Sequence, residues 1–136
     1  KLKIMANVTA AVTITSTDLL TDSLSSAVTK TITATATTGL ARRPITSTAV
    51  GTSSGQVTLY TADDYAAPAY IYIKNLDATT TDYLRVYDAS SSGNPSVLKL
   101  AGGDWAFMPT NADKTLKAYA TTSGTVIEWI VFGTDQ

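Results

Sequence analysis

Two stretches near the start of the chain alternate between apolar residues and threonine, and this pattern constrains the fold more than any other feature. In residues 8–15, valine, alanine and isoleucine occupy the even positions, and threonine occupies most of the odd ones. In residues 28–36, threonine occurs at every odd position. A period of two is typical of a β-strand with one buried face. We therefore predict two strands here rather than disordered, low-complexity sequence.

The composition supports a fold built from strands. Only 15% of the residues are charged, against about 25% in an average soluble domain. Threonine and serine must therefore supply most of the polar surface. Because threonine is β-branched and suits a pleated, half-buried surface, this composition favours strands over helices.

The remaining chain contains further short apolar runs separated by turn residues. A short helical turn is predicted over residues 17–24, and a loop or strand entrance over residues 39–44. Short strands at this spacing predict an all-β fold, a jelly-roll-like antiparallel β-sandwich of about nine or ten strands. One domain should cover residues 1–136, with residues 1–15 as an extended N-terminal arm or strand. The predicted strands are residues 8–15, 28–36, 45–50, 57–61, 70–74, 83–87, 97–100, 105–108, 116–120 and 126–132.

Turn-like sequence joins three consecutive pairs of these strands and predicts antiparallel hairpins. The pairs are residues 70–74 with 83–87, 97–100 with 105–108, and 116–120 with 126–132. In the second pair, Asp104 is expected to stabilise the turn. Trp105 and Phe107 should share one face of their strand, and we expect that face to be the core.

The residue types present argue against several functions. The chain has no cysteine and no histidine, and its ten basic and eleven acidic residues are scattered. We therefore predict no nucleic-acid binding, no metal or cofactor site and no enzyme activity. No apolar run reaches the roughly 20 residues that span a bilayer, so no membrane partner is predicted. Glu128, the only glutamate, is interpreted as a solvent-facing or interface carboxylate.

The function that remains after these exclusions is binding to a partner through an exposed surface. The N-terminal strand could add to the edge of a neighbouring sheet. The arginine pair could bind a carboxylate-rich partner through forked hydrogen bonds, or could simply be a solvated loop pair. Tyrosine rings could stack on sugars, or fill a core or a subunit interface. The interface candidates are Asn7, Val8, Val12, Arg42, Arg43, Tyr65 and Tyr72.

Four segments of the second half carry a family resemblance. Residues 69–75 read AYIYIKN, residues 98–109 read LKLAGGDWAFMP, residues 116–120 read LKAYA and residues 126–132 read VIEWIVF. This series resembles small β-sandwich structural proteins of tailed bacteriophages, in which an Ile-Lys-Asn strand end precedes a glycine-acid-aromatic turn and a final apolar strand. The resemblance covers roughly residues 69–133.

The resemblance implies a virion component without enzyme activity. The leading expectation is a capsid cement, or decoration, protein that binds and stabilises the shell of major capsid protein. Such a protein would be made in the host bacterial cytoplasm and located on the capsid surface, as a homo-oligomer such as a trimer. The alternatives are a head-fibre or tail accessory subunit, and a carbohydrate-binding module that uses Tyr65, Tyr72 or Trp105. Met5 looks like a natural start, so residues 1–4 are interpreted as an upstream extension or a tag remnant.

Overall fold

The fold is an antiparallel β-sandwich, as the sequence predicts. The computed structural model describes residues 2–18, 23–51 and 54–136, and these residues form ten strands in two sheets and no helix. The strands are β1 (Leu2–Ser16), β2 (Leu24–Thr37), β3 (Ala41–Pro44), β4 (Val57–Tyr60), β5 (Ala66–Asn75), β6 (Leu84–Asp88), β7 (Ser96–Leu100), β8 (Trp105–Thr110), β9 (Leu116–Ala120) and β10 (Val126–Thr134).

The core lies between a larger and a smaller sheet. The larger sheet has the order β1-β2-β10-β5-β8, with β3 also paired to β10, and the smaller sheet has the order β4-β9-β6-β7. Alternate residues of each strand point inward. Ile71 and Ile73 of the larger sheet and Leu84 and Val86 of the smaller sheet are fully buried members of one apolar cluster. Their burial accounts for the apolar alternation of the second half.

The three predicted hairpins are wrong, because in each pair the two strands belong to different sheets. β5 and β6, β7 and β8, and β9 and β10 each cross from one sheet to the other. Among the described strands, only β1 with β2 and β6 with β7 are both consecutive and paired. A turn sequence specifies that the chain reverses. It does not specify whether the strands pair edge to edge or face one another across the core.

The segment between β7 and β8 illustrates this difference. Asp104 stabilises the turn as predicted, because its Oδ2 accepts a hydrogen bond from the Ala101 amide at 3.0 Å. Trp105 and Phe107 do share one face, but that face is the outside of the larger sheet, and Trp105 is 53% exposed. Ala106 and Met108 pack against the core instead. The expectation that the two aromatic residues are core residues is therefore wrong.

The structure also bears on three other local predictions: a strand, a loop or strand entrance, and a helical turn. Residues 45–50 form no strand, and Ile45 is instead tied by its amide to the Thr125 carbonyl at 2.9 Å. The arginine pair lies within β3. Of the predicted helical turn over residues 17–24, residues 19–22 lie outside the described residues, and Leu24 begins β2.

β1 and β2 form a long hairpin, which we call the arm. They pair along almost their whole length, from Leu2 opposite Thr37 to Ser16 opposite Leu24. Within the described part of the chain, two residue pairs form the strand ladder between the arm and the rest of the larger sheet, Ala36 with Gly133 and Thr37 with Phe132. β1 covers most of the stretch that was predicted as an N-terminal arm or strand.

Candidate interaction surface

The arm has one apolar face and one polar face. Cross-strand pairs share a face, so Val8 with Ile32 and Val12 with Val28 lie on one side of the hairpin. On the opposite side, Asn7 pairs with Thr33, whose hydroxyl donates to the Asn7 Oδ1 at 3.1 Å. The period-two pattern of the sequence is the direct cause of this division.

The base of the apolar face covers aromatic residues on the outside of the larger sheet. Ile32 and Ala34 of β2 form a second buried cluster with Tyr70 and Phe132, and Val8 of β1 packs against it. The rings of Tyr70, Phe107 and Phe132 are mutually stacked, with every pair of centroids 6.1 Å apart. Offset aromatic contacts of this kind contribute about 0.5 to 1.5 kcal/mol each beyond the area that they bury.

A cationic side chain extends this contact along the arm. The Nζ atom of Lys30, on β2, lies 5.2 Å from the centroid of the Tyr70 ring. This distance is within the range of a cation–π interaction. Lys30 therefore holds the outer part of β2 against the aromatic surface.

A cleft of about 340 Å³ separates β1 from the aromatic surface. Residues 8–12 form one wall, and Tyr72, Trp105, Phe107 and Ile130 are among the side chains of the other. A second space of about 200 Å³ lies against Ala10, Val12 and Val28 of the arm and Phe107 of the sheet. The distal arm therefore covers the sheet incompletely.

A charged pair lies beside the aromatic surface. The Nε atom of Arg42 lies 2.5 Å from Oε2 of Glu128, and the Tyr72 hydroxyl donates to Oε1 of Glu128 at 3.3 Å. Glu128 is only 7% exposed, so its interpretation as a solvent-facing or interface carboxylate is wrong. The carboxylate that binds Arg42 belongs to the same chain. Desolvation, and then the charge of Glu128, raise the pKa of the Tyr72 hydroxyl.

The structure brings together some, but not all, of the predicted interface residues. Val8 and Val12 line the cleft together with Tyr72, and Asn7 lies on the opposite face of the same arm. Arg42 reaches Tyr72 only through Glu128. Arg43 is exposed on β3, away from these contacts.

Tyr65 has a different environment from the other candidates. Its side chain is 1% exposed and belongs to the main core, where its ring meets that of Tyr60 edge to face. The hydroxyl of Tyr65 donates to the Val131 carbonyl at 3.5 Å. This ring therefore presents no exposed surface to a partner or a sugar.

The interface candidates did not include Lys30, Phe107 or Ile130, and Trp105 was named only for the carbohydrate-binding alternative. A signal for the outward position of Trp105 and Phe107 was present. In residues 70–73 the tyrosines occupy the even positions and the isoleucines the odd ones. Two different kinds of apolar residue on two faces of one strand indicate two different environments. The aromatic residues of the paired strand β8 lie on the tyrosine side.

No group of three or more aspartate or glutamate side chains in the described part is arranged to hold a metal ion. No helix among residues 2–18, 23–51 and 54–136 has the length and apolar character needed to cross a membrane.

Comparison with protein-family models and with curated proteins found no match for this chain.

Proposed function

We propose that this chain is a structural protein of a tailed-phage virion, which binds the outside of the capsid shell as a decoration protein. The observation that supports this proposal best is the arm, which carries exposed apolar side chains on a compact sandwich. Ile14 is 56% exposed and Val28 is 65% exposed, and both lie on the apolar face. The resemblance of residues 69–133 to phage β-sandwich proteins supports the choice of a virion as the location.

The energetics of such attachment need no reactive group. Full burial of one large aliphatic side chain contributes about 1.5 to 3 kcal/mol. Repetition over a lattice adds avidity, so each contact can be small. The partner in this proposal is the major capsid protein, the location is the capsid surface, and the chain acts as a homo-oligomer such as a trimer.

Reconstitution on stripped capsids tests the proposal. Wild-type protein should co-sediment with capsids from which it has been removed and should raise their resistance to heat. Ile14→Lys and Val28→Lys should weaken binding at least tenfold, because each places a charge in the contact. Val97→Lys is the matched control, because Val97 is 46% exposed on β7 of the smaller sheet. Failure of the wild-type protein to bind or stabilise capsids would contradict the proposal.

Copy number separates this role from that of a head-fibre or tail accessory subunit. A decoration protein should approach the copy number of the major shell protein in purified virions. A fibre or tail subunit should be present in far fewer copies and at localised positions.

A carbohydrate-binding module is the second candidate, because Tyr72 and Trp105 line one cleft. Aromatic rings with one exposed face can stack on sugars, and Trp105 is about half exposed. A glycan array tests this candidate directly. Binding of a glycan that Trp105→Ala abolishes would favour it, whereas an array without hits would remove it.

A further inference from the structure

We propose that the free edge of β1 at residues 8–12 binds an extended peptide segment of a partner protein. The segment would add to β1 as a further strand, and its alternate side chains would enter the cleft of about 340 Å³. The chemical requirement is an uncharged strand with an apolar residue at every second position. The site goes beyond the proposed function, because such a segment can bind there whatever protein supplies it.

The first support is that the edge of β1 is unprotected. β1 lies at the margin of the larger sheet, and β2 is its one partner among the described strands, so one row of its backbone N–H and C=O groups faces away from the sheet. Residues 5–16 contain no charge, no proline and no glycine. The side chains and residues that normally discourage strand addition are therefore missing from this stretch.

The other sheet margins in the described part of the chain are short or protected. β3 contains Arg42, Arg43 and Pro44 within four residues, and β4 is only four residues long. β7 carries Lys99, and β8 contains Pro109. Charged side chains and proline both oppose pairing with a further strand. β1 is therefore the margin best suited to accept one.

The outer edge of β2 is the nearest competitor, and it differs in charge. Lys30 lies near its middle and is held over the Tyr70 ring. The cleft beside this edge is lined in part by Thr31, Thr33 and Thr134. An apolar strand would meet a charge and polar side chains there. Residues 5–16 at the β1 edge carry no charge, and the lining of the adjacent cleft is mainly apolar.

The second support is the position of the cleft. Only alternate residues of a strand can point towards the sheet beneath it. The cleft of about 340 Å³ is lined by five consecutive residues of β1, so residues from both faces of this strand contribute to it. The cleft therefore runs along the edge of β1, where an added strand would lie about 4.8 Å away. By contrast, the smaller space contacts the arm at residues of the apolar face only, such as Ala10, Val12 and Val28.

The lining of the cleft defines what should occupy it. Its far wall is mainly aromatic and aliphatic, and the Tyr72 hydroxyl contacts Glu128 of the charged pair. Among the side chains that the structure describes, none that lines the cleft is charged, and Glu128 nearby is already paired with Arg42. Apolar side chains would gain burial here, whereas a charged side chain would lose hydration without a partner.

The expected affinity of a single site is low. A ladder of about five residue pairs buries less than the roughly 1,200 Å² of a standard protein–protein interface. A dissociation constant on the order of 100 μM is therefore expected for an isolated peptide. Backbone hydrogen bonds would supply affinity and the cleft would supply preference for alternation.

The binding test uses the full chain and a panel of end-blocked peptides, in which threonine alternates over eight residues with valine, leucine or phenylalanine. At least one should shift the amide NMR signals of residues 8–12 and move the fluorescence of Trp105 to shorter wavelength. Trp105→Phe should abolish the fluorescence change without abolishing the NMR shifts, because the second tryptophan, Trp129, is buried in the core. A peptide of the same composition without alternation should bind at least fivefold more weakly.

A matched pair of variants locates the site. Ala11 and Ala27 are both exposed and lie on the same face of the arm, but Ala11 is on β1 and Ala27 is on β2. Ala11→Lys should weaken peptide binding at least fivefold, and Ala27→Lys should leave it unchanged. Stripped-capsid binding is measured separately, so failure here and failure of the proposed function can be told apart.

Several outcomes would overturn this inference. One is that no peptide of the panel binds at millimolar concentration. Others are that the peptide without alternation binds equally well, or that Ala27→Lys is the damaging variant. Saturation of the same amides by an oligosaccharide instead of a peptide would assign the cleft to glycans. Dimerisation of the chain through residues 8–12, with no effect of peptide, would assign the edge to a second copy.

Discussion

The side-chain amide of Asn75 donates to the main-chain carbonyl of Leu100 at 3.2 Å, and this bond joins the end of β5 in the larger sheet to β7 in the smaller one. The same Nδ2 atom donates to the Asp82 carbonyl at 2.9 Å, and the Oδ1 atom accepts from the Asp77 amide at 3.0 Å. Asn75 is fully buried, its bond to Leu100 is buried, and its bonds with Asp82 and Asp77 are partly buried. The asparagine of the Ile-Lys-Asn strand end is thus a connection between the two sheets.

Replacement of Asn75 by leucine should lower the free energy of unfolding by about 3 kcal/mol, because it leaves buried backbone groups without partners. Urea denaturation at pH 7 measures this change. Asn7→Ala is the control, since Asn7 is exposed on the arm and its loss should cost no more than about 0.5 kcal/mol. Equal effects of the two variants would contradict the bridging role.

Gly102→Ala should be strongly destabilising for a steric reason. A β-carbon at this position would lie 2.3 Å from the Thr79 carbonyl oxygen, so the backbone of one loop must move. Gly93→Ala is the comparison, because Gly93 has a φ of +81° but open space around it. We expect a loss of about 1 kcal/mol for Gly93→Ala and at least twice that for Gly102→Ala. Thermal unfolding of both variants checks the order, and a reversed order would exclude a tight contact at Gly102.

Alkaline pH should destabilise the fold through Tyr65. Desolvation in the core raises the pKa of its hydroxyl from 10.0 to about 12, with smaller contributions from Asp64 and Asp135. Below pH 10 the hydroxyl is protonated in both states. Between pH 10 and 12 it ionises mainly in the unfolded chain, so the free energy of unfolding should fall as pH rises through this window.

The Tyr65→Phe variant isolates this effect. Its free energy of unfolding should decline less steeply between pH 10 and 12 than that of the wild type, by up to about 1.4 kcal/mol per pH unit. Identical slopes for the two proteins in urea denaturation would show that Tyr65 does not contribute.

The ion pair between Arg42 and Glu128 should behave asymmetrically. The Arg42 side chain is largely exposed and that of Glu128 is largely buried, so loss of Arg42 leaves a buried charge unpaired. Arg42→Ala should therefore cost about 1 to 2 kcal/mol, and adding Glu128→Gln should restore part of that loss. A double-mutant cycle in urea measures the coupling. Additive single effects would show that the pair contributes nothing to stability.

The sequence predicts individual strands well because alternation is a local property of the chain. It placed strands at nine of the ten positions observed, and it predicted the role of Asp104 in its turn. The tenth, β3, was taken as a loop or strand entrance because proline ends it. The pairing of strands could not be predicted, because turns between two sheets and turns within one sheet use the same types of residue.

The candidate interaction surface was harder to predict for a related reason. The alternation around Trp105 shows that it shares a face with Phe107, but not which face is inside. That choice depends on a layer that Ile32 and Ala34 of the arm add from 73 and 71 positions earlier in the chain. The sequence also failed to predict the burial of Tyr65. This tyrosine follows two loop aspartates and was expected at the surface, but it is fully enclosed.

The narrow joint of the arm has a mechanical consequence. A pull on the arm reaches β10 through the pairs Ala36 with Gly133 and Thr37 with Phe132, and through the buried cluster beneath Ile32 and Ala34. β10 is flanked by β5 on one side and by β2 and β3 on the other, so it cannot be peeled away as a marginal strand could. Tension on the arm should therefore separate these pairs and the cluster beneath the arm before it unravels the two sheets.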